Sequence, residues 1–147
     1  MNVSTKGRYG VRFMMDLAMH CEGGNIKLKD VSARQHISEK YLWQVVNPLK
    51  KAGLVFSTSG PGGGYVLARD AGAITLLDVL RVLEGDSTLV NCADQSGACE
   101  RGDVCAARLV WREIGDRIAA ELDAITLRAL AARQQELESG AVLNYVI

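Results

Sequence analysis

Three cysteines stand close together in a chain of 147 residues: Cys92-Ala-Asp-Gln-Ser-Gly-Ala-Cys99-Glu-Arg-Gly-Asp-Val-Cys105. Six residues separate the first pair and five the second. The stretch is polar and contains glycine, so it is expected to lie at the surface. That is a poor place for buried structural thiols and a good one for metal ligands or redox chemistry. Cys105 is expected at the start of a helix, whose positive end favours a thiolate. Structural zinc favours closely spaced Cys pairs with a matched second pair, and neither occurs here. Wider spacing suits an iron–sulfur cluster, although three thiols are one short of the usual four ligands. A cluster, another redox role and inert thiols all stay open on spacing alone. Cys21 reads as a packed or inert thiol, and a disulfide is disfavoured in a reducing compartment.

A second set of residues points to nucleic acid. The run from Ser38 to Gly53 has Leu42, Val45, Val46 and Leu49 at helical spacing, which predicts one buried stripe. Ser38 is a natural N-cap. The opposite face carries Glu39, Lys40, Trp43, Gln44, Asn47 and Lys50, side chains that reach base edges or phosphates. Pro48 inside the run removes a backbone donor and predicts a bend. Two short β runs follow, around the tip Ser59-Gly60-Pro61-Gly62-Gly63. A helix followed by such a hairpin predicts a winged helix.

The elements that position these residues follow in order. Ser4 or Thr5 caps a first helix to about Cys21, with Tyr9, Val11, Phe13, Met14, Leu17 and Ala18 inward. Ile26 to Leu28 is expected extended. Lys29 to Gln35 is a short helix with Val31 and Ala33 inward, and His36-Ile37 is a tight turn. Short helix, turn and second helix make a helix-turn-helix. Thr75 caps a helix to about Glu84 with Leu76, Val79, Leu80 and Leu83 on one face. No periodicity is visible from Asp86 to Asp103. A long helix is expected from Val104 to about Asp123, with Val104, Ala107, Trp111, Ile114, Ile118, Leu122 and Ile125 on a heptad-like seam. So narrow a seam predicts a partner helix, hence a homodimer. Thr126 opens a last helix to about Glu138, and Leu143 to Ile147 is an apolar end expected to dock on a neighbour. The fold class is mainly α with a small β-hairpin wing. Residues 1–70 form the winged head, and residues 71–147 the cysteine loop and dimerisation helices.

The formal net charge is zero, yet residues 1–70 hold 10 Lys/Arg against 5 Asp/Glu and residues 71–147 hold 7 against 12. A basic front and an acidic back suit a protein that presents one face to a polyanion. Lys6, Arg8, Lys40, Lys50 and Lys51 are the candidate phosphate contacts. No run reaches membrane-spanning length and no signal-peptide layout appears, so a cytoplasmic protein with no membrane partner is expected. No nucleophile elbow, P-loop or paired general acid and base is present, which argues against an enzyme.

Three stretches together resemble a known family. Ser4-Thr-Lys-Gly-Arg-Tyr-Gly, Gly60-Pro-Gly-Gly-Gly-Tyr-Val-Leu and the spaced cysteines before Leu109-Val-Trp-Arg look like the winged-helix iron–sulfur transcriptional regulators, the IscR/NsrR/CymR-like family. The likeness runs from about Met1 to Glu138. It implies a homodimeric bacterial repressor of double-stranded DNA whose iron–sulfur cluster sets DNA affinity. Cys92, Cys99 and Cys105 match the family's cluster cysteines, and the helix from Ser38 its recognition helix. The implied DNA-contacting set is Lys6, Arg8, Ser38, Lys40, Tyr41, Trp43, Gln44, Asn47, Lys50, Ser59, Gly60, Pro61, Gly62 and Gly63. The signal would be redox, iron–sulfur status or nitric oxide.

The pattern departs from the family at four positions. IscR-like members place a His three residues past the last Cys to complete a 2Fe–2S site, and Arg108 stands there. NsrR-like members use a partner-chain Asp to complete a 4Fe–4S site, and the matching residue is Arg8. A 2Fe–2S cluster is favoured over 4Fe–4S, with the fourth ligand open among Asp94, Glu100, Asp103, Cys21 and His20. Ser59 replaces an Arg frequent before the wing glycine, and Trp43 replaces a smaller or acidic residue. The alternative is a cofactor-free CymR-like repressor controlled by a partner protein or by thiol oxidation.

Overall fold

A computed structural model of the chain describes residues 2–86, 89–94 and 99–146. Among them the order is α1 (Thr5–Met19), α2 (Leu28–Gln35), α3 (Glu39–Lys51), β1 (Val55–Thr58), β2 (Gly64–Leu67), α4 (Leu76–Glu84), α5 (Asn91–Asp94), α6 (Ala106–Asp123) and α7 (Leu127–Val146). Single 3-10 turns lie at Cys21–Gly23, Ala71–Ala73 and Gly102–Val104. The result is mainly helical with one two-stranded antiparallel hairpin, a winged helix-turn-helix.

Local chemistry sets the helix starts. Ser4 accepts from the Gly7 N–H and Ser38 from the Tyr41 N–H, while Thr75 and Asp78 form a reciprocal capping box on α4. α2 stops at His36, which adopts the left-handed conformation with φ 53°. α3 runs through Pro48 as one helix, and Gly53 with φ 73° turns the chain into the wing.

The core gathers around α1 and α3. Phe13, Met14, Leu17, Val31, Leu42, Val45, Val46, Leu49 and Ile74 are fully buried and continuous with Val79, Leu127 and Ala131. α1 therefore packs on α4 and α7 as well as on α2 and α3. Two glycines one helical turn apart permit the α4 contact. A Cβ on Gly10 would lie 2.0 Å from Leu83 Cδ1, and one on Gly7 would strike the Glu84 carboxylate. Glu84 also accepts hydrogen bonds from the Ser4 N–H and hydroxyl. Ile74 to Leu76 and Ile125 to Leu127 are stitched by Leu76 N–H to Ile125 O and Leu127 N–H to Ile74 O, each at 2.9 Å.

Several boundaries differ from expectation. Ile26 is not a free extended piece but pairs with Tyr65 of β2, by hydrogen bonds of 3.0 and 2.8 Å. α2 begins at Leu28, which is buried in the role expected of Ala33; Ala33 faces solvent. α6 begins at Ala106, with Val104 in the preceding turn. The cysteine stretch contains the short α5, and α7 reaches Val146 rather than Glu138. The expected docking of Leu143 to Ile147 falls on side chains outside those described, as does ligation by Asp94.

Candidate nucleic-acid interface and cysteine segment

α3 divides cleanly. Leu42, Val45, Val46 and Leu49 are fully buried, while Lys40, Trp43, Gln44, Asn47, Lys50 and Lys51 are exposed. Trp43 keeps half of its surface in solvent. Ser38, at the helix start, is exposed too, and its hydroxyl is spent on the cap. Tyr41 is half-buried and meets Tyr9 edge-on at 5.2 Å, so it anchors α3 to α1 rather than standing free. On α1, Arg8 is exposed and Lys6 half-buried.

The angle of α3 is held by a polar network that the sequence pattern did not reveal. Asp16 is fully buried, yet accepts from Arg34 Nη2 at 2.7 Å, Arg34 Nε at 3.0 Å and Gln35 Nε2 at 3.0 Å. These bonds hold the Arg34 guanidinium pKa above its ordinary value. Arg12 donates to Gln35 and lies over the Tyr9 ring at 5.5 Å. The Ser32 hydroxyl donates to the Ile37 carbonyl at 2.6 Å, closing the turn between α2 and α3. The sequence signal was Asp16 within the apolar run of α1.

The wing tip is braced from behind. Gly63 N–H donates to Gly60 O at 2.9 Å, and Gly60 has φ 97°. Asn25 Nδ2 donates to Gly62 O at 3.0 Å. A Cβ on Gly64 would lie 2.5 Å from the Ile26 carbonyl oxygen, so the bridge that holds the wing requires glycine there. Ser59 to Gly62 project into solvent and Gly63 is half-buried.

The cysteines lie away from the head's core. Cys92 sits in α5 and is half-buried, Cys99 is exposed, and Cys105 is the half-buried N-cap residue of α6. Arg112 Nη2 donates to the Ala93 carbonyl at 3.1 Å, which ties α5 to α6. Among the described residues no three Cys, His, Asp or Glu side chains are grouped closely enough to hold a metal ion. The residue types alone, three thiols with one at a helix N-terminus, are those a sulfur-ligated cluster uses. Cys21, Glu100 and Asp103 are exposed. His20 Nδ1 lies 3.6 Å from Asp16 and 2.9 Å from its own turn's Asp16 carbonyl.

α6 is mostly uncovered. Leu109, Val110 and Trp111 are exposed, and Val104 before it is 79 % exposed. On the expected seam, Ile114, Ile118, Leu122 and Ile125 are half-buried, whereas Ala107 is exposed. A cleft of about 460 Å³ runs beside the seam, between α4, α5 and α6, and includes Trp111, Ile118 and Leu122. No described helix is long and apolar enough to cross a membrane.

A family model described as "Rrf2: Iron-dependent Transcriptional regulator" matches residues 3–133. The chain belongs to the Rrf2 family. This Rrf2 protein is thus a transcriptional regulator of the winged-helix, DNA-binding type. It is 41% identical over 138 residues to the HTH-type transcriptional regulator IscR of Xenorhabdus nematophila, covering 94% of this chain and 84% of that one. The structure of CymR, the global cysteine regulator of B. subtilis, superposes with TM-score 0.76 at 41% identity, covering 90% of this chain and 98% of that chain. T. potens IscR superposes with TM-score 0.74 at 40% identity, covering 93% and 90%. Rrf2 relatives of both names therefore share the head and the long helix.

Proposed function

We propose that two copies of this Rrf2 protein grip duplex DNA, and that an iron–sulfur cluster on Cys92, Cys99 and Cys105 sets the strength of the grip. The observation that carries the DNA reading is the exposed polar face of α3 over a fully buried stripe, beside a braced glycine wing. In the major groove Gln44 and Asn47 read base edges, with adenine the favoured partner, and Trp43 meets thymine methyl groups. Lys6, Arg8, Lys40, Lys50 and Lys51 neutralise phosphates. Ser38 and Tyr41 set the attitude of α3, and Ser59, Gly60, Pro61, Gly62 and Gly63 approach the minor groove. The uncovered apolar face of α6 supports a homodimer, and paired heads match a near-palindrome. The protein works in the cytoplasm, and no step requires an enzyme's chemistry.

When bound, a cluster supplies an oxidant-sensitive link among the three cysteines. Those cysteines lie between α4 and the body of α6, so fixing residues 86 to 104 sets the spacing of the two heads. 2Fe–2S is favoured over 4Fe–4S. The test is anaerobic purification with iron and sulfide analysis, followed by DNA titration of the loaded and stripped dimer. Equal affinity in both states, across operator variants, would discard the switch.

Arg108 at the place of the family's His ligand, together with the likeness to CymR, favours a second reading. There the protein is a cofactor-free repressor controlled by a partner protein or by thiol oxidation. Colourless protein that nonetheless binds its operator would select it.

A further inference from the structure

The tip of the wing is tied to a part of the chain far from it in sequence. Ser59 to Gly63 contain three glycines, and glycine loses more conformational freedom on ordering than any other residue. Within the tip, Gly63 N–H donates to Gly60 O at 2.9 Å and closes the turn. A second tether comes from outside, where Asn25 Nδ2 donates to Gly62 O at 3.0 Å. No other side chain among the described residues bonds to the tip. A carbonyl only accepts, so the nitrogen of the Asn25 amide is the atom that faces Gly62.

Asn25 is itself held in place. The next residue, Ile26, exchanges two backbone hydrogen bonds with Tyr65 of β2, its N–H to Tyr65 O at 3.0 Å and the Tyr65 N–H to its own carbonyl at 2.8 Å. On the other side Gly24 turns the chain with φ 80°, and Gly23 N–H donates to His20 O at 3.1 Å. The amide therefore projects from a fixed backbone. Its acceptor, Gly62, lies three residues before Tyr65, so bridge and tether grip the two ends of one short stretch of wing. The Asn25 side chain is exposed and takes no part in the core.

We infer that Asn25 is a positioning residue for DNA binding: it presets the shape of the wing tip that approaches the minor groove, without touching DNA itself. This rests on the DNA reading above. A tip ordered before binding has less freedom to lose on binding. The tip carries no charged side chain, so the contribution of the tether is conformational and does not depend on counterion release. It is also local to the wing. α3 is set by the Ser38 cap and by the contact of Tyr41 with Tyr9, neither of which involves Asn25.

The test uses the full-length chain as wild type, Asn25→Ala and Asn25→Leu, the second filling the space of the amide without a donor. The probe is a duplex that the wild type selects from a randomised pool. Affinity is read across a salt series. Hydroxyl-radical protection reads the minor groove, and protection of guanine N7 from methylation reads the major groove. Melting temperature and amide exchange are read on the free proteins. Both variants should melt as the wild type does, because the side chain lies outside the core. Exchange at the Gly63 amide should quicken, while the Ile26 and Tyr65 amides stay protected. Binding should weaken about fivefold per wing, the worth of one neutral hydrogen bond, and so about 25-fold per dimer. The salt slope should not change. Minor-groove protection should fade while methylation protection under α3 persists. Equal loss in both grooves would mark a merely structural residue and overturn the inference, as would wild-type affinity or wild-type Gly63 exchange in both variants. A wild type that selects no duplex would instead remove the DNA reading, and one that leaves the minor groove unprotected the wing's part in it; either takes this inference with it.

Discussion

Asp16 on α1 receives both arms of the Arg34 guanidinium from α2, at 2.7 and 3.0 Å, from a fully buried position. A buried carboxylate held this way defines how the helix-turn-helix sits on the first helix. Removing one partner strands the other. Asp16→Asn should cost about 2–4 kcal/mol, less than a fully enclosed pair because Arg34 reaches solvent. Asp16→Leu combined with Arg34→Met should recover most of that loss. Urea unfolding of both variants measures it, and a double variant no better than Asp16→Asn would refute the pairing argument.

The salt dependence of DNA binding should count the phosphate contacts. Five cations per head, ten per dimer, give a slope of log affinity against log salt near about −9. Lys50→Ala should weaken binding evenly across sequences and flatten the slope by about 1 per contact removed. Fluorescence anisotropy across a salt series checks both figures.

Gln44 and Trp43 should separate in effect. Gln44→Ala should cost about 1–3 kcal/mol on operators with the favoured base and little on others. Trp43→Ala should alter preference at thymine-bearing positions without changing the melting temperature much, because the ring is half in solvent and outside the core. Binding to a randomised operator pool reads each shift.

Gly10 and Gly64 are close-approach glycines of different kinds. Gly10→Ala drives a methyl into Leu83, a side chain that can shift, and should cost about 1–3 kcal/mol. Gly64→Ala meets the Ile26 backbone, which cannot. It should break the Ile26–Tyr65 bridge and speed amide exchange at Tyr65 and Ile26 while α3 stays protected.

Elements governed by short-range rules were legible in the residues. The α3 stripe, the caps at Ser4, Ser38 and Thr75, and the hairpin around Gly60 to Gly64 depend on nearest neighbours in sequence. Features made by distant contacts were not. Leu28 rather than Ala33 is buried, and Ile26 pairs with Tyr65 of the distant β2. Asp16 is an isolated charge in an apolar run, and its partner Arg34 reaches it only across two helices. Pro48 does not end α3, which continues through it as the single helix expected. Arg108 could be named as a substituted ligand position, but its burial follows from the Gly102 turn folding back over it, which spacing does not encode.

The paired stretches Ile74–Leu76 and Ile125–Leu127 form a doorway; α4 behind it packs back on α1, and the excursion from the body begins only after Gly85. Thr75 bonds Asp123 across the same threshold. A protease nick inside the cysteine stretch would therefore not release the C-terminal portion, since both flanks remain buttoned at the sill. The excursion is thereby open to being lengthened, shortened or exchanged between relatives with the reading head left in register.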